Sequence, residues 1–86
     1  MRLNEQFIVH ISDGESLLVP TADAPFSGLV QGNKSVGAIL ELLGTDITEA
    51  ELVDRMEARF DAPREVLEQD VASTLKQLRE IGAIDE

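Results

Sequence analysis

Phe7, Val9 and Ile11 alternate with Ile8, His10 and Ser12, the period-two pattern of a strand. Asp13-Gly14 follows as a hairpin turn signal, and Ser16-Leu17-Leu18-Val19 reads as the returning strand, with Pro20 at its end or at an edge. Thr21 to Pro25 is small, polar and proline-containing, the composition of a loop. Phe26 to Gln31 then predicts a third strand, with Phe26, Gly28 and Val30 on one face and Ser27, Leu29 and Gln31 on the other. Gly28 marks a bulge or a place of close backbone approach.

After Gly32-Asn33 the period lengthens. Val36, Ile39, Leu40 and Leu43 recur at helical spacing, and Gly44 is the stop. Thr48-Glu49-Ala50-Glu51 is a capping box that opens a second helix at Thr48, with Ile47 and Leu52 placed as a hydrophobic staple. Leu52, Val53, Met56 and Phe60 make its apolar side, and Glu51 and Arg55, four residues apart on its wet side, can pair. Pro63, unfavourable inside a helix but suited to a first turn, begins the last one. Leu67, Val71, Leu75 and Leu78 form its stripe, Val66, Thr74 and Ile81 widen it, and Gly82 ends it, with Ala83 and Ile84 folding back. Three strands followed by three helices predict an α+β fold: a three-stranded antiparallel sheet, then three helices, resembling a winged helix-turn-helix.

Composition narrows the functions this fold can carry. The 86 residues, 43% of them hydrophobic, suit one thin-cored domain spanning 1–86. A formal net charge of −10 repels phosphate backbones and anionic lipid, which argues against nucleic acid and membrane partners. Without cysteine there is no disulfide, no thiolate nucleophile and no Cys-based metal site, a pattern that fits the cytoplasm.

The candidate chemistry is sparse. His10 is the sole histidine and has no second zinc ligand near it in the sequence. The acidic residues between Glu41 and Asp70 lack calcium-loop spacing; Asp46, Glu49 and Glu51 instead suit the positive end of a helix dipole. Asp13-Gly14-Glu15-Ser16-Leu17 is loosely like the Asp-Ser-Leu site of acyl carrier proteins, but Ser16 follows a strand and a turn rather than opening a helix. A winged-helix regulator or a protein-protein interaction module is the stronger alternative, although for DNA binding Arg64, Lys76 and Arg79 of the last helix are accompanied by Glu65, Glu68, Asp70 and Glu80. No catalytic constellation stands out, and neither metal nor cofactor is implied.

Three segments in order carry a family resemblance. Gly32-Asn33-Lys34-Ser35-Val36-Gly37-Ala38-Ile39-Leu40-Glu41-Leu42-Leu43 is similar to a Leu-Asn-x-Thr-Gly-Ala-x-Ile-Trp-x-Leu-Leu segment, Thr48 to Glu51 to a Thr-x-x-Glu helix start, and Asp70 to Gly82 to Asp-Val-x-x-Phe-Leu-x-x-Leu-x-x-x-Gly. Together they resemble the PqqD-like family, the recognition elements that bind the leader region of ribosomally made precursor peptides. The departures are Gly32 for Leu, Val36-Gly37 for Gly-Ala, Leu40 for Trp and Thr74 for Phe.

The resemblance implies a non-enzymatic adaptor that takes the leader as an added strand and presents it to a modifying enzyme such as a radical SAM protein or a leader peptidase. A homodimer is left open. The implied peptide-binding residues are Phe26, Ser27, Gly28, Leu29, Val30 and Gln31 on the third strand, with Leu67, Asp70, Val71, Thr74 and Lys76 on the last helix. Strand addition draws affinity from unpaired main-chain groups and selectivity from alternate side-chain pockets.

Overall fold

The structure is a computed structural model that describes residues 1–24, 28 and 30–86. Its elements run β1 (Arg2–Leu3), β2 (Phe7–Ser12), β3 (Glu15–Pro20), β4 (Val30–Gly32), α1 (Lys34–Leu42), α2 (Glu49–Arg59), α3 (Arg64–Glu80) and β5 (Ile84–Asp85). Strands β2, β3 and β4 form an antiparallel sheet in that order, and the three helices follow, as the sequence pattern predicts.

Turn chemistry sets the hairpin register. Asp13 and Gly14 both take positive φ, 49° and 81°, the left-handed pair of a type I′ turn, so Ser12 faces Glu15 across a two-residue loop. Three polar signals then delimit the helices. The Asn33 side chain accepts the Val36 amide at the start of α1. At α2 the Thr48 hydroxyl accepts from the Glu51 amide and the Glu51 carboxylate accepts from the Thr48 amide, completing the capping box. That inward turn diverts Glu51 from Arg55, and the expected ion pair between them is not formed. Helix α3 follows Pro63 and ends in a Schellman motif, with the Gly82 amide on the Arg79 carbonyl and the Ala83 amide on that of Leu78.

The core lies where the inner sheet face meets the helices. Leu18 from β3, Ile39, Leu40 and Leu43 from the α1 segment, Leu52 and Met56 from α2, and the α3 stripe Leu67, Val71, Leu75 and Leu78 are all buried. Burying such a side chain contributes roughly 1.5–3 kcal/mol of transfer free energy. Leu40, standing where the resemblance has Trp, is closed off with the rest. Val66 departs from expectation: at 45% exposure it faces solvent, one position away from the stripe that Leu67 occupies.

A second departure ties the ends together. Leu3 pairs with Ile84 and Arg2 with Asp85 in a two-stranded sheet, and the Leu3 and Asn4 amides donate to the Leu43 and Ala83 carbonyls. Ala83 and Ile84 do fold back, but as part of this clasp rather than as a simple helix cover. The Met1 amino group donates to Asp46 at 2.8 Å, and this hydrogen bond holds the Asp46 carboxyl below its ordinary pKa.

Candidate peptide-binding groove

The direction of each ladder hydrogen bond follows from the hairpin register. In a two-residue hairpin the residues flanking the loop exchange both backbone bonds, and hydrogen-bonded pairs then alternate along the ladder. Glu15, Leu17 and Val19 therefore bond β2, and Ser16 and Leu18 point their backbone groups at β4, opposite Gly32 and Val30. Gln31 sits between those two pairs, so its N–H and C=O point away from the sheet. It is the middle residue of a short free edge.

The same pairing sets the side chains. Val30 and Gly32 share the inner face with buried Leu18 and Ser16, whereas Gln31 shares the outer face with Leu17. Of the 26–31 segment expected as a strand, the described part in the sheet is Val30 and Gln31, extended by Gly32. Gly28 lies outside it at a bend with φ of 132°, a conformation that leaves the extended ladder and that side chains rarely adopt. Phe26, Ser27 and Leu29 lie outside the described residues.

Gly32 is dictated by close approach. A Cβ there would lie 2.5 Å from a Val36 methyl, 2.6 Å from the Val36 Cβ and 2.8 Å from the Ser16 hydroxyl oxygen. Val36 thus fills the space that a side chain at position 32 would need. Two departures from the family segment, Gly32 for Leu and Val36 for Gly, form one exchange in which the bulk comes from the helix instead of the strand.

A hollow of about 220 Å³ opens where the start of α1 meets α3. Ser35 and Val36 form one wall, and Asp70, Ser73, Thr74 and Gln77 form the other. Those four α3 positions lie at i, i+3, i+4 and i+7, one face of a helix. Asp70 and Thr74 of the expected set are brought together here; Ser35, Val36, Ser73 and Gln77 join them. The spacing from Asp70 carried the signal for Ser73 and Gln77, which the apolar stripe obscured.

Leu67 and Val71 have 2% and 0% exposure, so they support this wall from inside the core and present no surface to a ligand. Thr74 is 7% exposed, its edge alone reaching the hollow. Lys76 is exposed but does not line it.

Asn33 links this hollow to two others. One lies across the outer face between Leu17 and Gln31. The other, about 310 Å³, sits beyond the hairpin turn under Ile11, with Gly37, Ala38 and Phe60 around it and Arg59 and Glu41 paired at 3.4 Å on its rim.

Other candidate chemistry finds no support in the geometry. Ser16 has 1% exposure and donates to the Asn33 carbonyl, so it is a packed strand residue rather than an accessible attachment site. His10 is exposed on β2. No group of three or more metal-binding side chains converges among the described residues. Arg64 is held by Asp54 at 2.9 Å and Glu57 at 3.2 Å, a hydrogen bond to Asp54 raising its pKa, and Arg79 is held by Glu86 at 2.8 Å. Two of the three α3 cations are thereby engaged with the protein's own carboxylates, which leaves little for a phosphate backbone. No helix among the described residues is long and apolar enough to cross a membrane.

Comparison with known proteins bears on this arrangement. No curated protein matches the sequence. Among solved structures, TbiB1 in complex with the TbiA(beta) leader peptide is similar at a TM-score of 0.75 and 21% identity, over 99% of this chain and 100% of that one. A lasso peptide synthetase B1 complexed with the leader peptide is similar at a TM-score of 0.72 and 21% identity, over 95% and 93% of the two chains. The family model for coenzyme PQQ synthesis protein D matches residues 15–84, from the returning hairpin strand to the closing clasp, and the chain belongs to the PqqD family.

Proposed function

We propose that this chain, as a single domain, is a non-enzymatic adaptor that binds the leader region of a ribosomally synthesised precursor peptide by strand addition along β4. The observation that carries the reading is the free β4 edge: Gln31 points its backbone donor and acceptor outward, beside a hollow walled by α1 and α3. Membership of the PqqD family and a fold shared with two leader-peptide complexes support it.

In this reading Gln31 exchanges main-chain hydrogen bonds with the leader. Leader residues in register with Val30 or Gly32 turn toward the inner face, and alternate ones turn to the outer face beside Leu17. Phe26, Ser27, Gly28 and Leu29 are further leader-contact residues in this reading, Asp70 and Thr74 take side chains, and Leu67 and Val71 hold the α3 wall in place. Lys76 stands one turn away as a surface charge. The adaptor holds the leader while a cytoplasmic enzyme, such as a radical SAM protein or a leader peptidase, acts on the remainder. The domain itself supplies position and no reacting group.

Titration of isotopically labelled protein with a synthetic leader peptide tests this. Amide shifts are expected at Gln31, Gly32, Val36, Asp70 and Gln77. Shifts confined to α2 and the terminal clasp would overturn the proposal.

A further inference from the structure

The hollow between α1 and α3 is lined almost entirely by hydrogen-bonding side chains. Val36 supplies its apolar part; Asn33, Ser35, Ser73, Thr74 and Gln77 are neutral and polar, and Asp70 is the only charged residue among the described ones that line it. The Asp70 carboxylate is exposed and pairs with no cation among the described residues. Nor does it accept an amide of the nearby α1 N-terminus, where Asn33 already caps Val36. That helix end brings only about half a positive charge to the same space, against a full carboxylate.

We infer that this hollow selects a basic side chain, Lys or Arg, from the bound peptide, with Asp70 as its counter-ion. The inference rests on strand addition at β4 and deepens it by naming what the groove reads. A peptide residue in register with Gly32 projects to the inner face, where the space beside Gly32 is filled by Val36, the apolar residue of the hollow that α3 walls. The 220 Å³ available accommodates an extended aliphatic stem along Val36 with its charged head at Asp70. Ser73 and Gln77 supply further oxygen acceptors for the donors of an ammonium or guanidinium group. A bulky apolar side chain would instead strip water from five polar neighbours and a carboxylate without replacing their hydrogen bonds. The net charge of −10 adds a long-range attraction for basic peptides.

Selection from a display library of random twelve-residue peptides tests the inference whatever the sequence of the natural leader. Peptides enriched on the native protein should carry Lys or Arg at one fixed position. They should bind about fivefold more tightly than their Leu replacements, as expected for one half-exposed ion pair, and lose that margin in high salt. Asp70→Asn should abolish the positional preference, and Asp70→Lys should convert it to Asp or Glu; this exposed residue can be changed without touching the core. Apolar enrichment at every position, or a basic preference unchanged in Asp70→Asn, overturns the inference. If the selected peptides shift the Gln31 amide yet show no basic position, strand addition stands and only the basic specificity falls. If they leave Gln31 and Gly32 unshifted, strand addition falls, and this inference with it.

Discussion

Among the described residues the sheet has two free edges, and they differ in kind. On β2 the residues Phe7, Val9 and Ile11 alternate with the ladder-bonded ones; the Phe7 amide donates to the Asn4 carbonyl, and the backbone groups of Val9 and Ile11 point outward from a strand with no charged side chain. Ile8 and Ile11 are 56% and 42% exposed there, and the more apolar hollow, of about 310 Å³, adjoins Ile11. The described β4 edge is centred on Gln31, which lines the hollow beside Leu17, and through Asn33 it meets the polar hollow of α1 and α3 with its one carboxylate. By length and hydrophobicity alone β2 is the stickier edge; by placed polar groups β4 is the more selective one. Edge strands are usually guarded by their own charges. Here the guard for β2 is the net charge of the whole molecule, which opposes a second copy without shaping a site.

The contrast between the edges breaks most readily at the residue that fixes how β4 meets α1. Gly32→Ala forces a methyl group against Val36 and Ser16, and overpacking of this sort costs roughly 1–3 kcal/mol. Chemical denaturation should show that loss, together with weaker peptide binding through a displaced edge; full stability would mean that Val36 yields freely.

A matched pair of prolines probes the edges directly. Gln31→Pro and Val9→Pro each remove one outward amide without touching a ladder bond, since both residues alternate with the bonded pairs. Gln31→Pro should weaken leader binding about tenfold, close to 1.4 kcal/mol. Val9→Pro should leave it within about twofold, a change of a few tenths of a kcal/mol. Calorimetric titration reads both, and equal losses would erase the distinction between the edges.

A smaller effect is expected from Ile8→Lys. It should suppress any self-association that appears when salt screens the molecular charge, and change stability by less than about 0.5 kcal/mol. Sedimentation velocity at low and high salt measures it.

The smallest effect concerns neither edge. The carboxyl of Asp46 has its pKa lowered by the hydrogen bond from the Met1 amino group. Its contribution to stability is therefore present above the ordinary carboxylate pKa and lost as pH falls through the depressed folded value. Acetylation of the amino terminus should raise the Asp46 midpoint in an NMR titration while leaving both edges unperturbed.

Much of this architecture was legible in the sequence because its signals are local. Asp13-Gly14 defines a turn, Thr48 with Glu51 closes a capping box, and the Leu67, Val71, Leu75, Leu78 stripe finds the core. What was not legible depends on partners distant in the chain. Two residues of β1 carry no periodicity, and they become a strand only because the chain after Gly82 returns beside them. Val66 matches the stripe by hydrophobicity, yet the orientation of α3 leaves it in water. Glu51 has two local partners on paper, and the backbone amide of Thr48 wins over Arg55. Within the groove, Asp70 and Thr74 were visible through the family pattern. Their neighbours across the hollow belong to α1, and no spacing within one helix reports on a second.

The interlock of Gly32 with Val36 restricts the order in which the groove can change. A strand side chain introduced at position 32 while Val36 remains meets atoms 2.5–2.8 Å away. Trimming Val36 to Gly first leaves only a void and a helix penalty of about 1 kcal/mol for the glycine. A lineage moving between this groove and one with bulk on the strand is therefore steered through the void and away from the clash. Whichever substitution comes second is beneficial solely because of the first, so the groove's volume is inherited as a pair of positions rather than as one.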